Sequence, residues 1–236
     1  MRFASLPAAL TLTAATALAA QAGHPPDKTP YADLPFGHSV TVLGGYINGN
    51  GGDIGVGPHD GPFFGVRYDL RVSGPVQFGF TAASAQLQRL ITDPDDSVAT
   101  RVSGPVDQSV FIGEGAIQFN LTGAKTWKGF GPFFGGGIGF AIGDETPQDT
   151  TGYKFGTKFM FVPFVGTRYF VNQHLHLRAE VRWPFWEISY PASYADEPDE
   201  EPGSFPDSNA LRPNADLDEW TSSITLQFGL GYSFRW

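Results

Sequence analysis

Apolar and polar residues alternate with a period of two in eight segments of the chain, which predicts eight β-strands. We place these strands at 38–48, 62–72, 75–90, 108–121, 130–143, 155–171, 174–188 and 220–236. The last strand has the clearest pattern. From Trp220 to Trp236 every second residue is aromatic or aliphatic apart from Ser222, whereas the residues between them are small or polar apart from Arg235. The first and sixth strands alternate less regularly, and residues 159–164 are apolar on both faces, so their facing stays unassigned.

The connections between these strands are short and long in turn. Ser73-Gly74, 122–129 and Asn172-Gln173 are short, whereas 49–61, 91–107, 144–154 and 189–219 are long. This alternation is typical of an up-and-down meander whose two ends face different compartments. The predicted fold class is therefore all-β, and we interpret the four long segments as mobile loops at one end.

The direction of the alternation distinguishes a membrane barrel from a soluble one. The apolar side chains on one face of each strand, called the bulky set, are too large to fit together inside eight strands. The Gly, Ala, Ser and Thr on the opposite face fit a narrow lumen. Aromatic residues also lie toward both ends of the last strand, as in the girdles of membrane strands: Trp220, Tyr232, Phe234 and Trp236. We therefore predict an eight-stranded antiparallel transmembrane β-barrel over 37–236. A soluble ligand-carrying barrel is the alternative.

The same alternation places charged residues on the lumen side. They are Arg67, Asp69, Arg71, Glu114, Arg168, Arg178, Glu180, Arg182 and Arg235. Unpaired charges there are costly, so we expect an ion-pair cluster that plugs the barrel. An ion gate or a polar substrate groove is the functional alternative.

The N-terminus and the composition limit the remaining possibilities. Residues 1–22 have the basic start, apolar run and Ala20-Gln21-Ala22 end of a signal peptide, and the proline-containing residues 23–36 form an extended leader. The chain has no cysteine, which excludes disulfides and thiol chemistry. Its 24 acidic and 15 basic residues argue against a nucleic-acid partner.

Three stretches resemble the OmpA/OmpX-like outer-membrane barrels. Residues 131–139 (GPFFGGGIG) are similar to a glycine-rich strand of that family, and residues 166–180 resemble its penultimate hairpin. The C-terminal residues 232–236 (YSFRW) resemble the terminal aromatic signature that the outer-membrane assembly machinery recognises. The resemblance implies insertion into the lipid bilayer of a bacterial outer membrane, and we expect a monomer.

Candidate chemistry is sparse, so we predict no catalytic site, no cofactor and no metal site. His59 is next to Asp60 but has no serine close in the sequence, and His174 and His176 lie beside a predicted periplasmic turn, the wrong end for outer-leaflet lipid A. The acidic runs 93–96 and 196–201 lack the spacing of a calcium loop, although cation binding stays an alternative. We predict a structural or surface-interaction role, with 189–219 contacting lipopolysaccharide or surface partners. The alternatives are a narrow channel for small or hydrophobic molecules and a lipid A-modifying enzyme.

Overall fold

The computed structural model of the protein describes residues 29–199, 209–214 and 216–235. The predicted signal peptide, the first six residues of the leader (23–28), part of the last loop and Trp236 lie outside these residues. Eleven strands and one short 3₁₀ helix (Ala192–Ala195) make up the described chain. The strands are β1 (Tyr31–Asp33), β2 (His38–Gly49), β3 (Gly61–Arg71), β4 (Val76–Thr92), β5 (Val102–Asn120), β6 (Lys125–Trp127), β7 (Phe130–Gly143), β8 (Thr157–Phe170), β9 (Leu175–Arg182), β10 (Phe185–Ser189) and β11 (Asp218–Phe234).

The antiparallel pairings form a closed cycle. Each long strand pairs with the next one along the chain, β9 and β10 together occupy one position, and β11 returns to pair with β2. The closing register runs from Ser223 opposite Gly49 to Phe234 opposite His38. Because the ladder closes, the main sheet exposes no edge, as a sheet surrounded by lipid requires. The predicted all-β, up-and-down fold class is confirmed.

Three details differ from the predicted strands. The seventh strand is interrupted at Trp183-Pro184, because a proline has no N–H to donate to a ladder. The fourth begins at Val102, six residues before the predicted start, so β4 and β5 form a hairpin of 17 and 19 residues. Part of the predicted leader also forms β1, which pairs with β6.

The outer face of the barrel carries an exposed belt of apolar side chains. Phe228 is 62% exposed although it lies in the middle of β11. Its neighbours in the belt include Val42, Phe64, Phe80, Phe134, Ile138, Leu177, Leu226 and Leu230. Their direction agrees with the predicted outward facing of the bulky set. Among the described residues, no helix is long and apolar enough to cross a membrane.

The apolar and polar faces exchange places along β4. Near its start, Phe78 and Phe80 point outward and Gln77 and Thr81 point inward; further along, Ser84, Gln86 and Gln88 point outward and Ala85 and Leu87 are buried inside. A strand of 9–11 residues is enough to span the hydrocarbon. The later half of β4 therefore extends beyond the belt, and its facing there is that of a water-soluble barrel. This end, which carries the long connections, is called the long-loop end, and the opposite one the short-turn end.

A charge placed on the belt should destabilise the barrel according to its depth. We expect Leu226→Arg to lower the free energy of unfolding in lipid vesicles by about 2–4 kcal/mol, since Leu226 lies at mid-strand. Val171→Arg, on an exposed residue beside the turn after β8, should cost only about 0–1 kcal/mol. Urea titration followed by tryptophan fluorescence measures both values. Equal costs would show that Leu226 does not face hydrocarbon.

Candidate functional site

Six charged side chains inside the barrel form a closed ring in which arginines and carboxylates alternate. In order around the ring they are Arg67, Asp69, Arg178, Glu180, Arg182 and Glu114. Strand β3 supplies two of them, β5 one and β9 three, all at inward positions. The side chains are at most 6% exposed. With three positive and three negative groups, the ring has no net charge.

Four of the six links in the ring have the distances of direct ion pairs, and two are longer. Glu180 accepts from Arg178 at 2.5 Å and from Arg182 at 2.7 Å, and Arg182 also donates to Glu114. Asp69 accepts from Arg67 at 2.8 Å. The two remaining links are longer, with Asp69–Arg178 at 3.6 Å and Glu114–Arg67 at 3.9 Å. Each carboxylate thus contacts two guanidinium groups.

Small residues opposite the ring provide its space. A Cβ atom at Gly79 would collide with the guanidinium of Arg67, and one at Gly137 would lie 2.6 Å from a carboxylate oxygen of Glu114. Aromatic rings cover the guanidinium faces: Phe133 lies 4.3 Å from Arg178. Glycine is needed on the strands that face the ring, because the long charged side chains occupy the space where a Cβ atom would lie.

An apolar layer fills the barrel between the ring and the long-loop end. Its members include Ile47, Phe63, Ala85, Leu87, Val110, Met160, Val162, Trp186 and Ile188. A cavity of about 30 Å³ lies between this layer and the ring, lined by Glu114, Arg182 and Trp186 among others. It has room for about two water molecules. The predicted polar lumen is thus interrupted by an apolar layer. This layer also explains why residues 159–164 of β8 are apolar on both faces, since Phe159 and Phe161 face outward while Met160 and Val162 enter the layer.

A second charged group lies beneath the connection 144–156, at the long-loop end. Arg89 of β4 pairs with Asp149 at 2.6 Å and donates to Gln108 at 3.1 Å. The Arg89 guanidinium lies 5.2 Å from the ring of Tyr153. Burial alone would raise the pKa of Asp149, but hydrogen bonds from Thr151 and Arg89 and the charge of Arg89 outweigh it and lower that pKa below its ordinary value. This connection is therefore tied to the barrel wall.

Glu219, near the start of β11, connects two other long loops. Its carboxylate accepts from the Tyr190 hydroxyl at 2.6 Å and from the backbone N–H of Asp53 at 2.7 Å. Arg212 contacts both Asp53 and Glu219 at 3.2 Å. Burial and the hydrogen bond to Glu219 raise the pKa of Tyr190 above its usual range. The described parts of these loops are packed and bonded, whereas the sequence had suggested mobile segments.

The remaining candidate residues lie in different environments. Arg168 is buried inside the barrel but outside the ring, and Arg71 is half-buried at the short-turn end, where it donates to the Leu34 carbonyl. Arg235 was expected in the lumen, but that prediction is wrong: it is exposed because it follows the last residue of β11. At the two ends of β11, Trp220 and Tyr232 are exposed on the outer face, and Phe234 stacks on His38.

Sequence reasoning missed Arg89, Asp149 and Glu219. Arg89 is at an odd-numbered position of β4, like the inward-facing Gln77 and Thr81, so the alternation that predicted the other inward arginines could also have predicted this one. Asp149 and Glu219 lie in or beside loops, where no periodicity gives a direction. His59 contacts the Gly55 carbonyl at 2.7 Å. Within residues 29–199, 209–214 and 216–235, no cluster of three or more His, Asp or Glu side chains could hold a metal ion.

Comparisons with known proteins address the fold. No family model and no curated protein sequence matches the chain. The crystal structure of Neisserial surface protein A has a TM-score of 0.53 to this chain at 11% identity, and the match covers 86% of this chain and 99% of that one. The chain has the fold of an eight-stranded outer-membrane β-barrel. The resemblance to OmpA/OmpX-like barrels is confirmed at this level, and the outer membrane is where barrels of this kind reside.

Two further solved structures have lower TM-scores. The outer-membrane protein OprG from Pseudomonas aeruginosa matches with a TM-score of 0.49 at 12% identity, over 85% of this chain and 98% of that one. The N-terminal barrel domain of Pseudomonas aeruginosa OprF matches with a TM-score of 0.45 at 10% identity, over 83% and 97%. At these identities the likeness concerns the fold and no activity.

Removing one carboxylate from the ring should destabilise the barrel. In Glu180→Gln, Arg178 and Arg182 lose the anion that each contacts directly, and we expect the free energy of unfolding to fall by about 3–5 kcal/mol. Glu187→Gln is the matched control, because Glu187 lies on the outer face of β10 and is exposed. Urea titrations in lipid vesicles compare the two. If both variants unfold at the wild-type midpoint, the ring contributes nothing to stability.

Proposed function

We propose that the protein is a plugged outer-membrane barrel that acts through its long loops and conducts no solute. The observation that carries this proposal is the filling of the lumen at successive levels. The charged ring, the apolar layer and the Arg89–Asp149 pair follow one another along the barrel, and the cavity beside the ring accommodates about two water molecules. A continuous water path would have to displace all three.

The long loops support a surface role because they are joined to one another. Tyr194, which is fully buried, donates to the Thr92 carbonyl at 3.0 Å, and Arg101 donates to the Asn209 carbonyl at 2.7 Å. These two bonds connect the β4–β5 loop with the loop before β11. Side chains on these loops thus project from a supported platform.

The exposed side chains of this platform are strongly acidic. Asp95 and Asp96 project from the β4–β5 loop, and Asp196 and Asp199 from the loop before β11. The whole chain has a formal charge of −9. Carboxylates at the outer rim of a barrel lie beside the phosphate groups of lipopolysaccharide, and divalent cations bridge two such anions. We therefore infer that the platform contacts lipopolysaccharide through divalent cations.

The plug is tested by planar-bilayer recordings on the folded barrel, selected by its heat-modifiable gel mobility. We expect no discrete conductance steps, because the ring and the apolar layer leave no path for ions. Reproducible steps that scale with the amount of folded protein would contradict the plug and favour a narrow channel.

The loop contact is tested by neutralising the four aspartates together, as Asp95→Asn, Asp96→Asn, Asp196→Asn and Asp199→Asn. Exposed ion pairs contribute about 0.2–1 kcal/mol each, so even weak contacts at all four positions add up to a roughly tenfold loss of lipopolysaccharide binding in magnesium. Asp33→Asn, at the short-turn end, is the control and should bind like the wild type. Binding that persists in a metal chelator, or that is equal in all variants, would overturn the contact.

A further inference from the structure

The positive charges inside the barrel outnumber the negative ones at the short-turn end. The ring is neutral, and Arg168 lies outside it. Among the residues that the structure describes, neither Arg168 nor Arg71 has a carboxylate within ion-pair distance. Arg168 is 2% exposed, donates to Asn120 at 2.7 Å and lies over the rings of Phe133 and Phe170. These contacts satisfy part of the guanidinium but do not neutralise it.

Both arginines line one small cavity at this mouth of the barrel. Ser39, Gln77 and Ser233 contribute polar side chains to its wall, and residues 34–37 cross beside it. The Nε atoms of Arg71 and Arg168 are buried without a hydrogen-bond partner. A buried N–H that lacks an acceptor is costly, and most native ones have a protein, water or ion partner. Two unsatisfied donors of like charge beside one cavity favour an acceptor that is itself charged.

We propose that this cavity binds one small monovalent anion such as chloride between Arg71 and Arg168. The cavity has about 10 Å³ of space, enough for one water-sized particle, and a halide is the smallest common monovalent anion of this kind. A water molecule would accept the hydrogen bonds but would bring no negative charge to the two guanidinium groups. The half-buried position of Arg71 at the rim gives the anion a route from the aqueous phase.

The experiment is chloride NMR line broadening on the folded wild-type barrel in a halide-free neutral detergent. We expect broadening that saturates with chloride concentration and exceeds that of empty micelles. Arg71→Gln should weaken the apparent affinity at least fivefold, and because Arg71 is only half-buried, this variant should fold. Arg168→Gln should remove the broadening, and Arg168→Lys should retain part of it because the charge remains.

Arg235→Gln is the matched control. It removes one arginine from the same end of the barrel, but Arg235 is exposed and does not line the cavity. It should bind chloride like the wild type. Any of three results would overturn the proposed halide site. The broadening does not saturate, it falls in Arg235→Gln as much as in Arg71→Gln, or sulfate abolishes it at a lower concentration than nitrate does.

Discussion

Three carboxylates enclosed in a narrow barrel cannot be solvated by bulk water, so the arginines that surround them determine how the interior is built. Burying a charge without a partner costs several kcal/mol, whereas the closed ring gives each carboxylate two guanidinium neighbours. The long side chains need space, and glycines on the facing strands leave it. The outward belt, the glycine content and the absence of a wide lumen are all consistent with this one neutral cluster.

The barrel wall lies in two different solvents along its length. Where lipid surrounds it, apolar side chains point outward and the charged ring lies inside. Beyond the belt, on β4, polar side chains point outward and leucine and alanine fill the inside. In the second region the hydrophobic effect favours an apolar interior. The apolar layer also extends to the level of the belt, since Phe159 and Phe161 face outward beside the buried Met160 and Val162. The loops form hydrogen bonds and an ion pair with this second region, through Tyr194 to Thr92 and through Asp149 to Arg89, and these contacts hold the platform in place.

The sequence was informative wherever side chains alternate along a strand. It predicted eight strands, their order and the outward face of the last one, because a period of two gives each residue a side. It did not predict the apolar layer, since a stretch that is apolar on both faces, as at residues 159–164, shows no alternation. Which inward charges contact each other in the ring also depends on the register between strands, because the ring joins residues of different strands. Arg235 was misplaced because its parity continues past the end of β11.

The last strand has a double role that bears on biosynthesis. β11 completes the cylinder by pairing with β2, and Glu219 near its start connects Tyr190, Arg212 and the backbone of Asp53. A polypeptide that terminates before Asp218 would lack both the pairing of β11 with β2 and the contacts of Glu219 that connect the loops. Premature release from the ribosome would therefore leave an unsealed sheet with loose ends, a substrate for proteases rather than a partly working product.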